Sequence, residues 1–231
     1  MARSATKQSA KPLVRTRHGN TTAMPGQREG SGARAKRSAL RRDAILAAAL
    51  EEFSANGFAA TRLDDVARRA EVAKGTIYLH FADKEALFQE LISSQLSPVV
   101  GMLERAAHAD VPLRALADRL IEVFAREIYG TRRKDVIRLI ITEGARFPKL
   151  AEFYYREVLA RVMSAIRSVL RRAVERGELK QDALVRFPQL LAAPGVVAII
   201  WSGLFDRFEP LDVRAMLRAH FDLVLPGGRA A

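Results

Sequence analysis

The segment Lys74-Gly75-Thr76-Ile77-Tyr78-Leu79-His80 gathers an ammonium, two hydroxyls, an imidazole and one position without a side chain into seven consecutive residues. These are groups that touch nucleic acid. A lysine neutralises a phosphate, and Thr, Tyr and His donate to phosphate oxygens or to base edges. A glycine lets the backbone come close to a phosphate. Within the same stretch Ile77 and the following Phe81 are the apolar residues suited to face a small core. Arg68, Arg69, Lys74 and Lys84 surround the segment, opposed locally by Glu71 and Asp83. Bulk charge does not add to this reading, because residues 39–99 hold seven basic and nine acidic side chains.

Catalytic and metal chemistry find no comparable grouping. The chain has no cysteine, which removes disulfides, thiolate metal sites and cysteine nucleophiles. Its four histidines, at 18, 80, 108 and 220, have no paired spacing suited to a metal. There is no Gly-x-Ser-x-Gly elbow, phosphate loop or dinucleotide fingerprint. The adjacent pairs Glu51-Glu52 and Asp64-Asp65 diverge on a helix rather than working together. The expectation is a protein that is not an enzyme and holds no cofactor or metal.

The elements that must position the segment are helices. Over 231 residues the hydrophobic fraction is 49% and the aromatic fraction 7%, with Ala, Leu and Arg prominent, a composition that favours helix. Ile45, Leu46, Ala49, Leu50 and Phe53 recur at helical intervals, and Asn56-Gly57 is a left-handed stop. Thr61 with Asp64 reads as a capping box opening a second helix, buried along Leu63, Val66, Ala67 and Ala70. A break at Glu71-Val72-Ala73 precedes the third short helix. Two short helices joined by such a break, over 62–81, form a helix-turn-helix, the second helix being the one that enters a major groove. The spacing alone also fits a helical hairpin without a ligand. Asp83 caps a fourth helix carrying Leu87, Phe88, Leu91 and Ile92. After Pro98, helices are expected near 99–108, 112–129, 132–145, 148–177, 183–205 and 210–224, punctuated by Gly130, Pro148, Gly177, Pro210 and Pro226. The fold class is all-α, with about nine helices.

Charge divides the chain unevenly. The net charge is +12, and residues 1–42 carry eleven Lys or Arg against the single acid Glu29. Residues 1–38 lack apolar periodicity and read as a disordered basic tail. Such a tail attracts any polyanion, nucleic acid or anionic membrane. It contains no signal-peptide core, although an Arg-rich, acid-poor stretch also describes a transit peptide.

The runs Gly57-Phe58-Ala59-Ala60-Thr61-Arg62-Leu63-Asp64-Asp65-Val66-Ala67 and Lys74-Gly75-Thr76-Ile77-Tyr78-Leu79-His80-Phe81-Ala82-Asp83-Lys84-Glu85-Ala86-Leu87 closely resemble the signature of TetR/AcrR transcriptional regulators. The resemblance covers about 39–99. It implies a three-helix DNA-binding domain over 39–99 and a helical effector-binding and dimerisation domain over 100–225. It also implies a cytoplasmic homodimer bound to double-stranded operator DNA, a repressor released by a small-molecule effector. Thr61, Arg62, Lys74, Gly75, Thr76, Tyr78, His80 and Lys84 are the implied DNA-binding residues, with Lys84 on a phosphate. An activator, or a helical interaction protein that binds no DNA, is the alternative. Two residues depart from the family pattern: Glu71 stands where a glycine tolerates a left-handed conformation, and Ala73 where a hydroxyl caps the helix, a loss of ~1 kcal/mol.

The C-terminal half carries weaker signals. Effector-pocket candidates are Glu143, Arg146, Phe147, Tyr154, Met163 and Trp201, with Leu139, Thr142, Phe153 and Ile166 beside them. A buried arginine there would suit an anionic ligand, and a pocket without one a neutral lipophile. The uncharged run Phe187–Phe205, nineteen residues, has the length of a membrane span. Pro194-Gly195 interrupts it, so it reads as a helix buried at a subunit interface, partnered by Val213, Met216, Leu217, Phe221 and Leu223, with no membrane association expected.

Overall fold

A computed structural model of the chain describes residues 26–180 and 183–225. Its elements are α1 (Gly26–Ala60), α2 (Leu63–Arg69), α3 (Lys74–His80), α4 (Lys84–Ala107), α5 (Leu113–Val123), α6 (Arg133–Glu143), α7 (Pro148–Tyr154), α8 (Ala160–Glu175), α9 (Ala183–Arg186), α10 (Gln189–Leu204) and α11 (Val213–Val224). Among the described residues there is no strand, as the composition predicts. Residues 1–25 of the expected disordered tail lie outside the described residues. From Gly26 to residue 38 the chain is helical instead of coil; Ala33, Ala35, Lys36, Arg37 and Ala39 are strong helix formers and no proline intervenes. The chain divides between Ala39 and Leu40, and all the packing described below lies on the Leu40 side.

Gly57 breaks α1 with φ 73° and ψ 168°. The sign of φ agrees with the expected left-handed stop, but ψ places the residue in the region open essentially to glycine alone. Helix α4 departs further from expectation. It runs unbroken through Pro98, where the sequence reading starts a new helix. Proline removes one backbone donor. Burial of Leu91, Ile92 and Leu96 before it and of Val99 and Val100 after it holds the helix together. Arg133 Nε donates to the neighbouring Gln95 carbonyl at 2.8 Å.

The expected helices over 112–129 and 148–177 each contain a wide turn. Phe124–Tyr129 continues α5 as π-helix, and Tyr155–Leu159 joins α7 to α8 in the same way. The expected helix 183–205 is broken into α9 and α10 by Pro188 at the N-cap of the latter.

Two cores result. One packs α1 to α4 together with Val136, Leu139, Ile140, Leu150 and Val158. The other packs α5, α8, α10 and α11 around Leu116, Ile121, Leu170 and Leu217. Helices α2 and α3 therefore share one core with α6 and α7. Phe58 shows this directly: its ring lies 5.3 Å from Phe88 and 4.7 Å from Phe147.

Candidate nucleic-acid interface and effector cavity

Helix α3 is held by a single fully buried side chain, Ile77, with Phe81 buried just beyond its end. These are the two residues expected to face the core. Its opposite side is open. Lys74, Gly75, Tyr78 and Leu79 are exposed, and Thr76 and His80 are half-buried. Lys74 with Tyr78, and Gly75 with Leu79, stand four residues apart and so share one face. A Cβ built on Gly75 would meet nothing within 4 Å, so the protein's own packing does not require a glycine there. Leu79 is 84% exposed and Tyr78 50%. A leucine so fully in solvent on the outer face is a position that the sequence reading passed over. An apolar side chain at that place suits a thymine methyl group.

The turn between α2 and α3 bears out the two departures from the family pattern. Glu71 has φ 53°, the sole positive φ outside glycine among the described residues. Ala73 is the N-cap of α3 and makes no side-chain capping bond.

Three of the expected contact residues, Thr61, Lys74 and Lys84, are already engaged within the protein. Thr61 is corrected most clearly: it is 2% exposed. Its hydroxyl donates to the Gly57 carbonyl at 2.7 Å and to that of Glu52 at 3.1 Å. It locks α1 to the start of α2 and leaves only backbone for an outside partner. The expected capping box is absent, because Arg62 is the N-cap of α2 and makes no side-chain cap bond. Asp64 instead receives Lys74 Nζ at 2.8 Å, which raises the lysine's pKa above its usual value, the hydrogen bond being the main cause. Both partners are exposed, so the pair is weak and a phosphate can replace the aspartate.

Lys84 Nζ donates to the carbonyls of Ala59 at 2.9 Å and Thr61 at 3.0 Å, and lies 4.8 Å from the centre of the Phe58 ring. Partial burial lowers its pKa. It braces the segment ahead of α2, with one N–H left for a phosphate. Arg69 is likewise structural, reaching the buried Glu52 at 2.6 Å. Arg62 is exposed and has no ion-pair partner among the described residues.

The second site is a cavity of about 260 Å³ in the C-terminal half, enclosed by α4, α5, α8, α10 and both π-helical turns. Of the six expected pocket residues, Tyr154 and Met163 line it, as does Ile166. The other four do not line it. Phe147 packs on Phe58 instead. Glu143 lies against Gly57, where a Cβ would stand 2.8 Å from its Oε1. Arg146 is exposed at the surface beside Glu143. Trp201 donates from Nε1 to the Glu209 carbonyl at 2.7 Å and meets Phe205 edge-on, closing the turn after α10. Helical periodicity gave no means of telling which face of α6 or α10 turns inward, which places Glu143 and Trp201 away from the cavity; Arg146 and Phe147 lie in the turn between α6 and α7.

No group of three or more His, Cys, Asp or Glu side chains that could hold a metal occurs among the described residues. No described helix is long and apolar enough to cross a membrane; α10 has sixteen residues.

Comparison with known proteins agrees with this geometry. Residues 45–91 match the profile of bacterial regulatory proteins of the tetR family. Residues 112–219 match the tetracyclin repressor-like C-terminal domain. The HTH-type transcriptional repressor BepR of Brucella suis is 31% identical over 147 residues, 61% of this chain and 69% of its own. The HTH-type transcriptional regulator AcrR of Shigella flexneri is 28% identical over 189 residues, 80% and 87% of the two chains. The structure of a SmeT–triclosan complex aligns with a TM-score of 0.69 at 21% identity, over 83% of this chain and 95% of that one, a likeness of fold. The chain belongs to the TetR family of bacterial transcriptional regulators.

Proposed function

We propose that this regulator is a homodimeric, cytoplasmic repressor that grips operator DNA with the outer face of α3 and lets go when a small molecule fills the C-terminal cavity. The observation that carries the reading is the course of α4. Its first half supplies Leu87, Phe88 and Leu91 to the core on which α3 rests. Its second half supplies Leu96, Val99, Val100 and Leu103 to the cavity wall. One rigid element thus joins the ligand's surroundings to the DNA-reading unit. A ligand that binds better to one setting of α4 shifts the population toward it.

Dimerisation is supported by α10. Leu190, Val197, Ile200 and Leu204 are all exposed and recur at helical spacing, an apolar stripe of the kind that marks an interface. Two copies would set two α3 helices against half-sites about 34 Å apart. Relatives include a named repressor and a regulator whose structure holds triclosan, which favours repression and a lipophilic effector.

Selection of bound duplexes from a random pool tests the reading. The expected product is a palindromic sequence with half-sites one helical turn apart, retained at moderate salt. Enrichment of no sequence at all would overturn it.

A further inference from the structure

We infer that the effector is an uncharged lipophile carrying a single hydrogen-bonding group, and that Tyr154 is the residue that recognises that group. The inference rests on the cavity being the effector site. No charged side chain lines the cavity. Apart from Tyr154, the lining consists of aliphatic side chains, Phe, Met163 and Gly195. Tyr154 is therefore the one lining residue whose side chain carries a strong hydrogen-bonding group. That hydroxyl has no hydrogen-bond partner among the described residues, although the ring is half-buried at the end of α7, beside the π-helical turn. A phenolic hydroxyl both donates and accepts, and a ligand entering the cavity can supply its partner.

The same surroundings set the ligand's charge. Burial pushes the Tyr154 phenol up to about 12, so at neutral pH it is a neutral donor and acceptor. It offers a carboxylate one hydrogen bond and no counter-charge, and transfer of an unpaired ion from water into such a lining is strongly disfavoured. Arg146, the candidate cation for an acidic ligand, lies at the surface. Size bounds the ligand too. About 260 Å³ falls just under the roughly 300–1,000 Å³ usual for ligand sites. A compact hydrophobic body with one hydroxyl, phenol or carbonyl fits these constraints.

Isothermal titration of the full chain with 4-propylphenol, propylbenzene and 4-propylbenzoate tests the inference. For the wild type, the phenol should bind most tightly, and the benzoate roughly 100-fold more weakly than the phenol. Tyr154→Phe should weaken the phenol by roughly three- to tenfold and leave propylbenzene unchanged. An undiminished phenol preference in Tyr154→Phe, or tightest binding of the benzoate, would overturn the inference alone. Ala192→Leu, which adds bulk to the lining, should weaken phenol and propylbenzene together. If both bind Ala192→Leu as they bind the wild type, or if no probe binds the wild type, the cavity is not the effector site and the reading beneath the inference fails with it.

Discussion

Replacing Glu71 should make the protein more stable and its grip on DNA tighter, through two effects that can be separated. Glu71 sits at φ 53°, a left-handed conformation that costs a side-chain-bearing residue roughly 1–2 kcal/mol. Glycine removes that cost but loses about 0.5–1 kcal/mol of unfolded-chain entropy. The net gain for Glu71→Gly is therefore about 0.5–1 kcal/mol. Asparagine tolerates the same region, so Glu71→Asn should gain a similar amount, whereas Glu71→Ala keeps the strain and gains nothing. Urea denaturation at fixed protein concentration measures this, the concentration being held because a dimer's stability depends on it. The gain corresponds to a rise of about 1–4 °C in thermal midpoint for a chain of this size. All three variants also remove one exposed negative charge two residues from the N-cap of α3, so all three should bind DNA more tightly at low salt. Stability that follows charge, with alanine matching glycine, would refute the backbone argument. Affinity that follows stability would refute the electrostatic one.

Other substitutions probe the remaining joints. Ala73→Ser supplies the missing N-cap of α3 and should stabilise the protein by about 1 kcal/mol, read from the urea midpoint. Gly57→Ala forces a side chain into a glycine-only conformation and against Glu143, and should destabilise by about 2–4 kcal/mol; adding Glu143→Ala should return only the part due to the clash. Lys74→Ala should lower affinity for all duplexes and reduce the salt slope by about 1, measured by anisotropy titration across salt concentrations. The raised pKa of Tyr154, which burial causes, predicts stability that is independent of this group below pH 10. Stability should then fall between pH 10 and 12, as the unfolded chain gives up the phenolic proton first. Tyr154→Phe should lose that component of the alkaline unfolding profile.

The DNA-reading unit was legible because its residues do local work. Ile77 and Phe81 are apolar among polar neighbours, Asp83 accepts from the Ala86 N–H as an N-cap should, and Glu71 and Ala73 matter through backbone geometry that a turn imposes. Thr61 was misread for an instructive reason. A threonine ahead of a helix offers its hydroxyl to the helix that follows or to the one before, and here the free carbonyls beside Gly57 won. Lys84 is expected on a phosphate, yet it holds two carbonyls from a segment 23 and 25 residues away. Spacing along one helix cannot reveal them.

The cavity was least legible. Which faces of α7, α8 and α10 look inward depends on their mutual rotation, and two π-helical turns shift that rotation relative to a regular helix. Tyr154 stands immediately before one of those turns, and Met163 and Ile166 beyond it still line the cavity. The absence of charge over Phe187–Phe205 was read as burial at an interface. In α10 it divides into a buried side with Ala198 and Ile199 and an exposed side with Val197 and Ile200.

The central claim is that the open face of α3 reads base sequence. It is tested most directly by titrating the selected operator and a scrambled duplex against Tyr78→Ala/Leu79→Ala, two exposed positions whose loss leaves the Ile77 core intact. Operator affinity should fall at least tenfold while scrambled-duplex affinity is unchanged, so that the specificity ratio collapses. An unaltered ratio would mean that α3 does not lie against the bases.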